Sequence, residues 1–137
     1  MNNNSNDELI NIVNKFFQII SGSSNQSRDW QSFKNLFSSD AILSASVKNM
    51  SNEYVLHSWS VDSYIERLDN FLKANDFYEK AENFNIVLSK NIPQLTCNYF
   101  ASRNKSFSPE LKRGLNHIHF IKKDGEWKII NSIWEDN

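Results

Sequence analysis

Asp124-Gly125 stands between two segments rich in strand formers, 115–122 and 127–134, and no other feature restricts what this chain can fold into as strongly. A two-residue Asp-Gly connection closes a β-hairpin of type I′, because both residues accept the positive φ values that the turn requires. The turn also sets a register. Lys122 then faces Trp127, Phe120 faces Ile129, Ile118 faces Asn131 and Asn116 faces Ile133, all with side chains on one face. The opposite face carries Ile121 with Lys128, His119 with Ile130, His117 with Ser132 and Leu115 with Trp134. The first face is the more apolar and is expected to line the interior. The second is still too apolar for water, and a sheet-to-sheet homodimer accounts for the excess. A one-residue bulge would exchange the two lists.

Upstream the hydrophobic period alternates between helix and strand. Leu9, Val13, Phe16 and Ile20 recur at helical spacing in a wide apolar stripe, the pattern of a helix packed over a sheet. Residues 21–27, Ser-rich with Gly22 among them, are a breaker and linker. A short second helix is expected near Arg28, with Ser27 as its N-cap and Trp30, Phe33 and Phe37 on one face. A third follows Ser60, carrying Tyr64, Ile65, Leu68, Phe71 and Leu72. Strands are expected at 41–47, 54–59 and 77–89, and around Leu95, Cys97 and Tyr99 after the turn residue Pro93. Residues 1–7 read as a flexible polar tail and 8–137 as a single domain.

Among 137 residues, 15 Lys and Arg stand against 16 Asp and Glu, a net charge of −1. With no basic excess and no basic run, nucleic acid is not an expected partner. One cysteine, Cys97, excludes an internal disulfide and favours a reducing compartment. Residues 1–7 have neither the basic nor the apolar region of a signal peptide, and no apolar run is long enough to cross a bilayer. A cytoplasmic protein without a membrane partner is the expectation. Only Gly22, Gly114 and Gly125 are present, so no Gly-rich phosphate loop exists and no cofactor is expected.

The order helix, helix, two short strands, helix and long antiparallel strands resembles the nuclear transport factor 2-like (SnoaL-like) superfamily. The run Asp29-Trp30-Gln31-Ser32-Phe33-Lys34-Asn35-Leu36-Phe37-Ser38-Ser39-Asp40-Ala41 is similar to that superfamily's second helix running into its first strand. Phe77-Tyr78-Glu79, Arg113-Gly114-Leu115-Asn116 and Lys123-Asp124-Gly125-Glu126-Trp127-Lys128-Ile129 resemble one bacterial branch of it, as does Ile133-Trp134-Glu135. The resemblance spans about residues 8 to 136. It implies an α+β cone, a cystatin-like roll with three helices packed on a strongly bent mixed or antiparallel sheet. The fold hosts isomerases, cyclases and dehydratases as well as carriers and assembly modules. None of the enzymes' catalytic motifs matches here residue by residue.

The residue types that could carry chemistry are few. Glu79, beside Phe77 and Tyr78, would become a usable general acid or base if buried, or would pair with Arg113 as a structural ion pair. His119 and His57 are the other candidate proton carriers. His117 and His119 share one strand face and could ligate zinc with His57 as a third ligand, but polar packing is the commoner role and no metal is expected. Asn116 and Asn131 could orient a polar group on an apolar ligand or could satisfy each other. Tyr54, Trp59, Tyr99 and Phe120 would supply contact area. Cys97 reads as inert packing. The loop at 104–111 could cover the cone mouth. The leading expectation is a homodimeric small-molecule-binding domain whose cone takes a mostly apolar ligand. The alternatives are a cofactor-independent isomerase, cyclase or dehydratase in the same cavity, and an interaction module with a filled cone.

Overall fold

The computed structural model describes residues 3–137, and side chains from residue 5 onward. Helix α1 spans Asn3–Ile20, so the first turns occupy residues expected to form a polar tail; Met1 and Asn2 lie outside the described residues. Once the apolar stripe from Leu9 fixes a helix against a sheet, extending it costs only one residue's freedom per hydrogen bond gained. That stripe is fully used, since Leu9, Val13, Phe16, Phe17 and Ile20 are all buried.

Helix α2 is short, Trp30–Lys34. Its N-cap is Asp29 rather than Ser27: the Asp29 carboxylate accepts from the Ser32 backbone N–H at 3.1 Å and from the Ser32 hydroxyl at 2.6 Å. A carboxylate accepting two bonds at a helix N-terminus outcompetes a hydroxyl two residues earlier. Helix α3, Val61–Ala74, begins after Ser60, whose hydroxyl accepts from the Ser63 N–H at 3.2 Å.

Among the described residues six strands form one sheet: β1 Phe37–Lys48, β2 Tyr54–Ser60, β3 Tyr78–Val87, β4 Gln94–Ser102, β5 Glu110–Lys123 and β6 Glu126–Asp136. Their order is β2-β1-β6-β5-β4-β3. All neighbours are antiparallel except β1 and β6, which run parallel and join the chain's two halves. The three helices lie on one face, and the buried side chains alternate toward them. Leu95, Cys97, Tyr99 and Ala101 do so on β4, and Asn116, Ile118 and Phe120 on β5. Cys97 is packing, and burial pushes its thiol up to about 12.

The linker after α1 is held by Arg28. Its guanidinium is buried and donates to the carbonyls of Ile20, Gly22, Ser23 and Gln26. Gly22 and Phe77 exchange backbone hydrogen bonds at 2.8 and 3.0 Å, stitching the linker to the start of β3. The Ile20 carbonyl at the end of α1 thus finds its partner in the Arg28 side chain.

The hairpin keeps its expected register only near the turn. Lys122 faces Trp127, Ile121 faces Lys128 and Phe120 faces Ile129. Ile130 is then unpaired, and His119 faces Asn131, His117 faces Ile133 and Asn116 faces Trp134. This bulge adds one residue to β6 and inverts everything beyond it. Asn131 and Ile133, expected inside, lie on the outer face. Ser132 and Trp134, expected outside, lie on the helix-covered face.

Candidate functional site

The open end of the cone is bounded by the inner faces of β1, β2 and β6, by α3, and by the ends of β3, β4 and β5. On β2, His57 and Trp59 point inward because strand alternation puts them opposite Ala45 and Leu43. On β6 the bulge brings in Trp134, which also faces Ala45. The small Ala45 leaves room for rings on both sides. Trp59 stacks with His57 at 6.2 Å and with Trp134 at 6.3 Å between ring centroids, both 17° from parallel. From α3, Tyr64, Arg67, Leu68 and Phe71 fall on one face at helical spacing. Tyr64 meets Trp134 edge-on at 5.6 Å, and Phe71 meets Phe77 edge-on at 5.5 Å.

These elements enclose a cavity of about 720 Å³ that also takes in Glu79, Arg103, Lys112 and Asp136. Behind it lies a small void of about 30 Å³, lined in part by Phe16, Tyr99 and Asn116. Tyr64, Glu79, Lys112 and Trp134 line both spaces, so Glu79 stands at the constriction. Its carboxylate makes no hydrogen bond or ion pair among the described residues. Burial pushes that carboxyl up to about 7 from its ordinary 4.5; the Lys112 ammonium opposes the rise and the Asp136 carboxylate adds to it. Burial also raises the Tyr64 phenol. The Tyr99 phenol donates to Asp136 at 2.6 Å and is raised by burial and by that bond.

This carboxyl has a consequence for stability. Between about pH 4.5 and 7 the folded protein keeps a proton on Glu79 that the unfolded chain has released, so stability falls as pH rises through that window. Solvent access from the open cavity reduces the penalty to about 2 kcal/mol. Glu79→Gln is therefore expected to stabilise the protein by about 2 kcal/mol at pH 8 and by almost nothing at pH 4.5. Urea unfolding of both proteins at the two pH values checks this, and an equal difference at both would mean the carboxyl is fully hydrated.

The candidate residues separate into three groups. Glu79, His57 and Trp59 line the cavity, and Tyr99 and Asn116 line the inner void. Phe120 is fully buried core and reaches neither. Four others sit on the outer face. Tyr54 is 68% exposed, under the Lys48 ammonium. Arg113 pairs with Glu110 at 2.6 Å and not with Glu79, because alternation turns Lys112 inward and Arg113 outward. The row across the inner face is Glu79, Ala101, Lys112. Asn131 and His119 bond each other at 3.0 Å, while Asn116 accepts from the Ser132 hydroxyl at 2.8 Å. The two asparagines therefore do not meet. His57 lies across the sheet from His117 and His119 and cannot join them at a metal. Residues 104–111 are pinned away from the mouth at their tip, where Phe107 packs edge-on against the outward Phe100 at 5.7 Å. Their flanks, Arg103 and Leu111, line the cavity.

Sequence reasoning missed Tyr64, Arg67, Lys112, Trp134 and Asp136 as site residues. Lys112 was within reach: counting by twos back from Asn116 puts it inside. Trp134 was not, because nothing in Lys128-Ile129-Ile130-Asn131-Ser132-Ile133 marks a bulge.

No family model matches the sequence, and no curated protein does. Solved structures match over its whole length. A protein with a cystatin-like fold from Nostoc punctiforme superposes at a TM-score of 0.76, with 12% identity, over 100% of this chain and 94% of that one. A nuclear transport factor 2-like protein from Novosphingobium aromaticivorans gives 0.74 and 9%, over 97% and 82%. A candidate scytalone dehydratase from the same organism gives 0.71 and 14%, over 97% and 84%. At these identities the likeness is one of fold, and it agrees with the sequence resemblance: the chain has the nuclear transport factor 2-like, cystatin-like α+β fold.

Proposed function

We propose that this protein is a small-molecule-binding domain that takes a mostly apolar, ring-containing ligand into its cone. The observation that carries the reading is the unfilled cavity of about 720 Å³ walled by Trp59, Trp134, Tyr64 and Phe71. That volume is of the size that holds drug-sized ligands, and its aromatic walls supply contact area at low entropic cost. The same cavity argues against an interaction module with a filled cone. We also infer a homodimer through the outer face of β1, β2 and β6, where Ile42, Leu56 and Ile133 are exposed at 44, 59 and 41%. The cytoplasm and a bacterial source remain part of this reading; among the described residues no helix is long and apolar enough to cross a membrane.

Native mass spectrometry of freshly purified protein, followed by denaturation, tests both parts. The expected species is a dimer that releases a small apolar molecule, and Leu68→Trp, which fills the cavity from α3, should release none. Wild type and variant releasing the same molecule would sink the cavity reading, and a monomer would sink the dimer.

A second reading has its own support. Glu79, with no partner for its carboxylate among the described residues and a carboxyl pushed up to about 7 at the end of an aromatic-walled cavity, is placed as a proton carrier needs to be. If the cone performs enolisation, the protein should accelerate α-proton exchange of 2-tetralone in D₂O. Glu79→Gln should slow that exchange about 100-fold or more, with Arg113→Gln as the outer-face control. No acceleration by the wild type would argue for a carrier.

A further inference from the structure

Three cations line the cavity, Arg67, Arg103 and Lys112. None makes an ion pair among the described residues, although four ion pairs form elsewhere on the molecule. Each instead rests on a ring of the cavity wall. Arg67 lies over Trp59 at 5.2 Å from the ring centroid, Arg103 over Phe71 at 5.5 Å and Lys112 over Phe77 at 6.0 Å. Arg103 is further steadied by donating to the Asn75 side-chain oxygen at 2.6 Å. A cation laid on an aromatic face keeps its charge and most of its N–H donors free, and its position is defined before any ligand arrives.

Among the described residues, the carboxyls on the same wall offset these cations only in part. Only Glu79 and Asp136 line the same space. Asp136 is already engaged as acceptor of the Tyr99 hydroxyl, and Glu79 holds its proton far more readily than an ordinary glutamate. Among the described residues, His57 and Tyr64 are the further titratable side chains on the wall. The cavity therefore presents an excess of positive charge between apolar walls, and a concave low-dielectric site concentrates such a field.

We infer that the natural ligand is an aromatic acid: a planar apolar ring system bearing one carboxylate, with the rings against Trp59, Trp134 and Tyr64 and the carboxylate held by Arg67, Arg103 and Lys112. The inference rests on the cavity reading above and narrows it. A neutral apolar ligand would leave these three cations without a counter-charge at the cavity wall, and an amine would be repelled. A carboxylate converts those donors into charge-assisted hydrogen bonds, which a guanidinium makes in pairs.

Calorimetric titration at pH 7 with two probes of nearly equal shape, 2-naphthoate and 2-naphthalenemethanol, tests it. Both should bind, the acid at least about tenfold more tightly. Arg67→Gln, Arg103→Gln and Lys112→Gln should each weaken the acid about tenfold and leave the alcohol within about twofold, and Arg113→Gln should change neither. Raising the salt concentration should weaken the acid alone. The alcohol binding as tightly as the acid, or more tightly, would overturn the inference and leave the cavity reading standing. Neither probe binding would overturn both. Should one Gln variant fail to fold, the other two and the salt series still decide.

Discussion

Replacing Gly114 with alanine is expected to destabilise the protein by about 3 kcal/mol or more, although the change adds a single methyl group. Gly114 sits on the inner face of β5, between Tyr99 on β4 and Asp136 on β6. A Cβ at this position would run into the carbonyl oxygen of Glu135 and the phenol of Tyr99, both closer than real Cβ atoms approach their neighbours. The carbonyl belongs to a paired strand and cannot swing aside. The tyrosine can retreat only by giving up the bond its hydroxyl donates to Asp136 at 2.6 Å, in a place where its ring is 2% exposed. Overpacking of this kind costs about 1–3 kcal/mol, and losing a hydrogen bond to a carboxylate about 1.5–3. Tyr99→Phe removes the bond without the clash and should cost about half as much. Denaturant midpoints of the two variants check this, and a Gly114→Ala cost below that of Tyr99→Phe would mean that the strands have slack here. The glycine is needed for its missing side chain rather than for unusual backbone angles, since its φ is not positive.

Phe33→Ala should cost about 4 kcal/mol. Phe33 is fully buried and is the hub of an aromatic cluster. Its ring lies 4.9 Å from Phe16, 5.1 Å from Phe37 and 5.5 Å from Trp30, and stacks at 6.5 Å behind Tyr64. The hole left by truncation has α1 on one side and α3 on the other, two rigid elements that cannot close on it. Because Tyr64 is a wall of the ligand cavity, its loss of backing should also weaken binding of 2-naphthalenemethanol. Tyr54→Ala, by contrast, should change stability by less than about 0.5 kcal/mol, since that ring is exposed on the outer face. Thermal and chemical unfolding of the pair separate core from surface. A small effect at Phe33 would contradict the packing described.

Much of this fold was legible in the residues. The α1 stripe from Leu9 to Ile20, the Ser60 cap of α3 and the Asp124-Gly125 turn each express a local rule strong enough to survive the tertiary context. What escaped was whatever depends on counting across an unmarked irregularity. The bulge at Ile130 carries no glycine or proline, yet it decides that Trp134 lines the cone and Asn131 does not. The same arithmetic separates Lys112 from Arg113. The run of strand formers starts only at 115, while β5 begins at Glu110, so the alternation that turns Lys112 toward Glu79 lies ahead of that run. His57 and Trp59 share an inward face, and Tyr54 falls outside by simple parity, a distinction the sequence contained. The contribution of α3 was harder to read. Its apolar stripe looks like ordinary core packing, and only the void beneath it turns Tyr64, Arg67 and Phe71 into a wall.

Ligand binding in this protein requires the cone to be an open, ring-binding cavity. A crystal structure of the protein soaked with 2-naphthalenemethanol, which carries no charge, asks this independently of the cations. The fused rings are expected between Trp59, Trp134 and Tyr64, with Glu79 beyond them and the protein backbone unchanged. Probe found only on the outer face of the sheet, or a cone filled by its own side chains with no probe inside, would contradict it.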